Sequence, residues 1–246
     1  MTTARTPEQS YALRLADDCL VLGQRLSEWA ARGPTLEEDV ALLNISLDLL
    51  GTARALLSGV GDEDALAFLR DEPDWTNALL VELDNGDFGQ TMVRQLLVSA
   101  FQVPLWTGLC ASTDPLLAGV AGKAVKEATY HLDHAGAWVV RLGDGTEESH
   151  ARAQAGLETV WPYAFELFES DPLVTELAGR GVAVDPATLE APWRATVERV
   201  LAEATLAVPE TDWRPSGGRR GQHTEAFGYL LAELQHLHRS HPGAAW

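Results

Sequence analysis

The sequence predicts an all-α protein built on four long helices in two pairs, followed by a helical extension. Apolar residues recur at spacings of three and four through long stretches rich in Ala, Leu, Arg and Glu, and no stretch sustains the apolar/polar alternation of a half-buried strand. Clusters of Gly, Pro, Asp and Asn interrupt these stretches where helices must stop or start.

Tyr11, Leu15, Cys19, Leu22, Leu26 and Trp29 outline a first helix from about Pro7 to Ala31, which Gly33-Pro34 ends. Thr35, followed three residues later by Glu38, has the pattern of a capping box and opens a second helix that runs to about Ser58. That helix is apolar on nearly every side between Val40 and Leu57, which places it at the centre of a bundle. After a turn over Gly59 to Asp64, Ala65 to Arg70 reads as a short helix, and Pro73 opposes its continuation through Asp71 to Asn77.

A third long helix spans about Phe88 to Ala111, with Met92, Leu96, Leu97, Phe101, Leu105 and Leu109 on its apolar side. Asp114-Pro115 opens a fourth, and Gly143-Asp144-Gly145 breaks it after about Leu142. Further helices are expected near Glu147 to Phe168, Asp171 to Ala178, Asp185 to Ala207 and Thr224 to His238, with Pro209 to Gln222 as an irregular loop. Four long helices in two pairs are the organisation of a ferritin-like four-helix bundle, here with additional C-terminal helices. The expected layout is a single domain over residues 1–246, with a core bundle over about 7–142 and an extension over about 147–246.

The 246 residues are 46% hydrophobic, enough for a substantial core, and charges break the apolar runs before the roughly 20 residues of a membrane span. The N-terminal run Met1 to Glu8 lacks the apolar segment and small-residue cleavage site of a signal peptide, so a cytoplasmic location is expected. Cys19 and Cys110 both sit in apolar helical runs and read as reduced core residues. A net charge of −18 opposes nucleic acid as a partner. It equally repels an anionic small molecule unless a basic partner supplies the positive charge.

Two helices carry a shared four-residue frame, Ala41-Leu42-Leu43-Asn44 and Ala128-Thr129-Tyr130-His131, where a di-iron bundle carries Glu-x-x-His. Alanines at the glutamate positions remove bridging carboxylates, and the third helix has no Asp or Glu between Phe88 and Ala111. No metal site and no catalytic residue are therefore assigned to this chain. Glu127, His131 and His134 share a stripe that could offer three ligands to one metal. Asn44, Asp48 and His131 read instead as core polar residues, linked across the bundle with Asp18 or Arg14; the alternative makes them remnants of a ligand set. Ala121, Ala124, Ala128 and Ala135 form a small-residue stripe suited to close helix approach. Lys123 can pair with Glu127 on the surface. Alternate positions on a helix point apart, which argues against a metal tract at His236, His238 and His241. Arg214, Arg219 and Arg220 concentrate positive charge in a loop that is either solvated or clamps a phosphate or an acidic partner.

Four strings extend this reading: Tyr11 to Leu22, Asn44 to Gly51, Lys126 to Leu132 and Gly217 to Glu225. Together they resemble the C-subunit family of bacterial phenylacetyl-coenzyme A epoxidases, from near Tyr11 to Trp246. The resemblance implies a ferritin-like, cytoplasmic, structural component in phenylacetate catabolism with no cofactor of its own. It implies partners: a catalytic A-subunit holding the di-iron centre, a small B-subunit, and a reductase with flavin and iron–sulfur centres fed by NADPH. It also implies contact with phenylacetyl-coenzyme A near the junction with the catalytic partner, through Asp74, Trp75, Thr76 and Asn77 and through Thr175, Glu176 and Leu177. Two other readings stand beside it. One is a metal-dependent oxidase or oxygenase using Glu127, His131, His134 and Asp48; the other is a stand-alone helical binding protein.

Overall fold

The computed structural model describes residues 5–244; the N-terminal Met1 to Ala4 and the terminal Ala245 and Trp246 lie outside the described residues. The described residues are all-α, with no strand, and the fold is of the ferritin-like class. The chain divides into two compact units, one formed by the chain up to Asp84 and from Ser216 on, the other by Asn85–Pro215. The segment up to Pro215 lies in the unit of the third and fourth long helices, and the last helix lies in the unit of the first two.

The first unit is built on α1 (Pro7–Ser27) and α2 (Leu36–Val60), which pack along one another. Thr6 caps α1 in a reciprocal box with Gln9, and Thr35 Oγ1 accepts the Glu38 N–H at the start of α2. Gly23 lets the helices close, since Ser46 Oγ donates to its carbonyl at 2.7 Å and a Cβ there would lie 3.3 Å from the Ser46 carbonyl. Short helices α3 (Glu63–Phe68) and α4 (Leu79–Glu82) follow, with a 3-10 turn over Glu72–Asp74 between them. α4 and this turn are not legible as helices in the sequence, because each is a single turn flanked by Pro or by extended residues.

Within this unit α2 departs from expectation. Leu36, Val40 and Leu47 are 74%, 51% and 63% exposed, so the helix lies at a surface of the chain rather than at the centre of a bundle. α2 also has the length and hydropathy of a membrane span, contrary to the expectation of charge-broken runs; its other face is buried by residues such as Leu42, Ile45 and Leu49.

The second unit is organised around α5 (Phe88–Leu109), buried over most of its length, and α6 (Pro115–Gly143). Asp87 and Asp114 cap them. α7 (Glu147–Val160) crosses α5 closely at Gly156, where a Cβ would meet Gln90 Cα at 2.6 Å. The expected helix to Phe168 changes at Trp161 into a 3-10 stretch, Trp161–Phe168. α8 (Pro172–Gly179) follows it. The aromatics of the 3-10 stretch join Trp193 of α9 (Glu190–Glu203): Trp161 and Phe168 lie with ring centroids 5.4 and 5.0 Å from Trp193, whose Nε1 donates to the Leu97 carbonyl at 2.9 Å. The last helix, α10 (Glu225–Ser240), belongs to the first unit. Cys19 is buried as expected, but Cys110 is exposed because it sits one residue past the end of α5.

Candidate functional site

The most highly connected polar structure lies in the first unit, around the segment Asp74 to Asn77. It begins on α1, where the adjacent Asp17 and Asp18 point about 100° apart around the helix and so reach different partners. Asp17 Oδ2 accepts from Arg70 Nη1 at 3.0 Å and from both the backbone N–H and the hydroxyl of Thr76 at 3.0 Å. Asp18 receives Arg219 in a two-point pair, at 2.9 and 2.8 Å, and the Ala78 N–H at 2.8 Å. Arg219 also donates to the Thr76 carbonyl at 3.0 Å. Arg70 covers the ring of Trp75 at 4.0 Å, and Trp75 meets Phe227 edge to face.

Glu82 closes the network. It is fully buried, with Oε1 accepting from the Thr224 N–H at 2.6 Å and Oε2 from Asn77 Nδ2 and His223 Nδ1, each at 2.7 Å. His223 Nε2 faces the Trp75 carbonyl at 3.2 Å, and Arg25 donates through Nε and Nη2 to the Glu82 carbonyl. Burial pushes the His223 pKa down, but the hydrogen bond and charge of Glu82, with the Trp75 carbonyl and the charge of Glu72, outweigh it and hold it above the ordinary histidine value.

The string Gly217 to Glu225 supplies Arg219 and His223 because glycine lets its backbone lie against this segment. A Cβ on Gly218 would stand 2.2 Å from the Asn77 carbonyl, and one on Gly221, at φ +72°, 2.2 Å from the Pro73 carbonyl. Chemically the arrangement is a clasp: the oxygens of Asp17, Asp18 and Glu82 are already engaged by donors from the chain itself, which suits holding a segment in place rather than binding a metal.

This placement redistributes the seven residues expected near a coenzyme A ester. Trp75 and Asn77 are fully buried, Thr76 is half-buried, and Asp74 is exposed. In the second unit Thr175 and Glu176 are exposed on α8, while Leu177 is fully buried. Thr175 Oγ1 donates to the Asp171 carbonyl, and Glu176 pairs with Arg180 at 3.2 Å. The arginine-rich loop is largely engaged. Arg219 is paired with Asp18, Arg220 donates to Ser216 Oγ at 3.3 Å, and Arg214 lies over Phe165 at 4.1 Å.

The family model described as phenylacetic acid catabolic protein matches residues 1–246. The chain is also 49% identical over 243 residues to the C-subunit of the 1,2-phenylacetyl-CoA epoxidase of Escherichia coli (strain K12), covering 96% of this chain and 98% of that one. The chain belongs to the phenylacetic acid catabolic protein family.

In this family member the two four-residue frames have different surroundings. On α6, Ala128 and His131 are buried, in a stripe that continues through Ala121, Ala124 and Ala135. On α2, Ala41 and Asp48 are half-buried and Asn44 is exposed, so Asn44 is not the buried amide expected from its apolar neighbours; it sits beside the exposed face of the helix. Asp18, expected as a partner for these residues, is committed to Arg219 and Ala78. Glu127 pairs with Lys123 at 2.6 Å. Tyr130 stacks on His134, and His238 stacks on Phe68. Among the described residues no group of three or more His, Cys, Asp or Glu side chains is gathered to hold a metal ion.

Sequence reasoning misses most of the clasp and one further feature. Asp17, Arg70 and Glu82 are not singled out by any motif, although a charge inside Leu79-Leu80-Val81-Glu82-Leu83 signals a buried pair. On α5, Thr91, Gln95, Ser99 and Gln102 form a buried polar stripe at spacings of four, four and three. Gln95 Nε2 donates to Ser99 Oγ at 3.0 Å, and the side-chain carbonyls of Gln95 and Gln102 find no donor among the described residues.

Proposed function

We propose that this chain is a non-catalytic structural component of a multicomponent epoxidase acting on phenylacetyl-coenzyme A. The observation that carries the reading is the donor set. Alanine stands at both glutamate positions of the frames, and α5 offers amides and hydroxyls where a di-iron bundle needs a carboxylate. These residues do not fit a di-iron centre. The relative named as the C-subunit of 1,2-phenylacetyl-CoA epoxidase supports the assignment to a complex. In this reading the iron belongs to a catalytic A-subunit, flavin and iron–sulfur centres to a reductase, and a small B-subunit completes a cytoplasmic assembly.

The test is iron content and turnover, measured on the purified chain and on its complex with the iron-binding partner. The expected result is substoichiometric iron and no oxygen insertion by the chain alone. Two irons per chain with turnover of phenylacetyl-coenzyme A would overturn the reading; one metal per chain with such turnover would favour the oxygenase based on Glu127, His131, His134 and Asp48.

Contact with the coenzyme A ester is part of the same reading, narrowed by burial to Asp74, Thr76, Thr175 and Glu176. Asp74 carries the charge of least use to a phosphate-bearing ligand. Asp74→Asn in the complete complex is therefore expected to lower KM for the ester with kcat unchanged; an unchanged KM removes Asp74 from the contact set.

A further inference from the structure

The exposed face of α2 has a period. Leu36, Val40, Leu43, Leu47 and Leu50 follow one another at spacings of four, three, four and three, the 3.5-residue repeat of a coiled-coil seam, and Arg54 takes the next seam position. Leu36, Val40 and Leu47 are more than half exposed, and Leu43 and Leu50 half-buried. The five aliphatic positions extend about 21 Å along the helix. An isolated exposed leucine needs no explanation, but a continuous seam of this length on one helix marks an interaction surface.

We propose that this α2 seam seats a long amphipathic helix of a different, less acidic member of the complex, packed at about +20° in coiled-coil fashion. The inference rests on the structural-component reading and adds the face through which the chain assembles. The period selects a helix as the occupant, because a 3.5-residue repeat keeps its apolar line facing a second helix over several turns. Charge selects a different chain rather than a second copy. Each copy carries a formal net charge of −18, and the flanks of the seam present Glu37, Asp39 and Asn44 with no cation. Arg54, the one basic residue of α2, is already paired with Glu63 at 2.9 Å. Two copies packed in parallel would meet acid to acid and two packed antiparallel would still bring together two net charges of −18, whereas a partner with basic flanks would be steered on and held in register.

The experiment measures affinity of the full chain for the iron-binding partner of the same enzyme, with wild type, Leu47→Glu and Val40→Glu, and with Leu237→Glu on the exposed side of α10 as control. Both α2 positions are exposed, so unchanged unfolding midpoints certify the variants as folded. The expected result is binding weakened at least about thirtyfold by either α2 substitution and unaffected by the control. If wild type assembles and the α2 variants assemble equally well, the seam proposal falls while the structural-component reading stands. If the chain alone sediments as a dimer that Leu47→Glu dissociates, the occupant is a second copy and the proposal is overturned. Failure of wild type to assemble overturns the functional reading itself, and the seam proposal with it.

Discussion

His223 donates through Nδ1 to Glu82 Oε2 at 2.7 Å, and both side chains are shut off from solvent. Because Nε2 faces the Trp75 carbonyl, both ring nitrogens meet acceptors, and only the doubly protonated imidazolium satisfies them together. The pair ties the start of α10 to α4 and to the segment before it, so its protonation state bears on how firmly the C-terminal helix is held.

A pH dependence of stability follows from that pair. The folded pKa of His223 is raised, so its contribution is fully present below the unfolded histidine value of about 6.5 and is lost as pH rises through the folded value. Thermal unfolding followed upward from about pH 6 should show the midpoint falling with pH. Glu82→Gln should lower the midpoint at the acidic end and flatten that slope, since the amide removes the charge that favours the imidazolium. A wild-type slope retained in the variant would assign the dependence to other groups.

Asp17 is fully buried against Arg70, so truncating it strands a cation and two Thr76 donors. Asp17→Ala should cost about 3–5 kcal/mol in urea unfolding, as expected for a buried pair broken from one side. Glu148→Ala breaks a pair between exposed side chains on α7 and should change stability by less than about 1 kcal/mol. Equal losses would mean that the buried pair is not the stronger clasp.

Glycine substitutions separate close approach from helix propensity. Gly218→Ala pushes a methyl group into the Asn77 carbonyl and should destabilise by about 2 kcal/mol or more, loosening the Arg219–Asp18 pair with it. Gly119→Ala, inside α6 with nothing within 4 Å of the new Cβ, should stabilise by about 0.5–1 kcal/mol. Calorimetry of the two single variants checks both signs.

The long helices are legible because their signals are local. Thr6, Thr35, Asp87 and Asp114 cap at the chain positions where apolar periodicity begins, and each cap is made by atoms within three residues. The emptied frames are legible for the same reason, since a missing carboxylate is visible in the residue type itself. The clasp is not, because its bonds between Asp17 and Arg70 and between Asp18 and Arg219 span 53 and 201 positions, and no periodicity links their partners.

What the sequence by itself determined is the helical class, the order and approximate bounds of the long helices, the family, and the absence of the frame carboxylates at positions 41 and 128. Tertiary structure decided the rest. It placed α10 in the unit of α1 and α2 and α7 to α9 in the unit of α5 and α6, turned Trp75 and Asn77 inward, and left Leu36, Val40 and Leu47 of α2 exposed. The physical reason is that periodicity reports which residues can be buried, while only packing between distant segments determines which of them are, and which charge meets which.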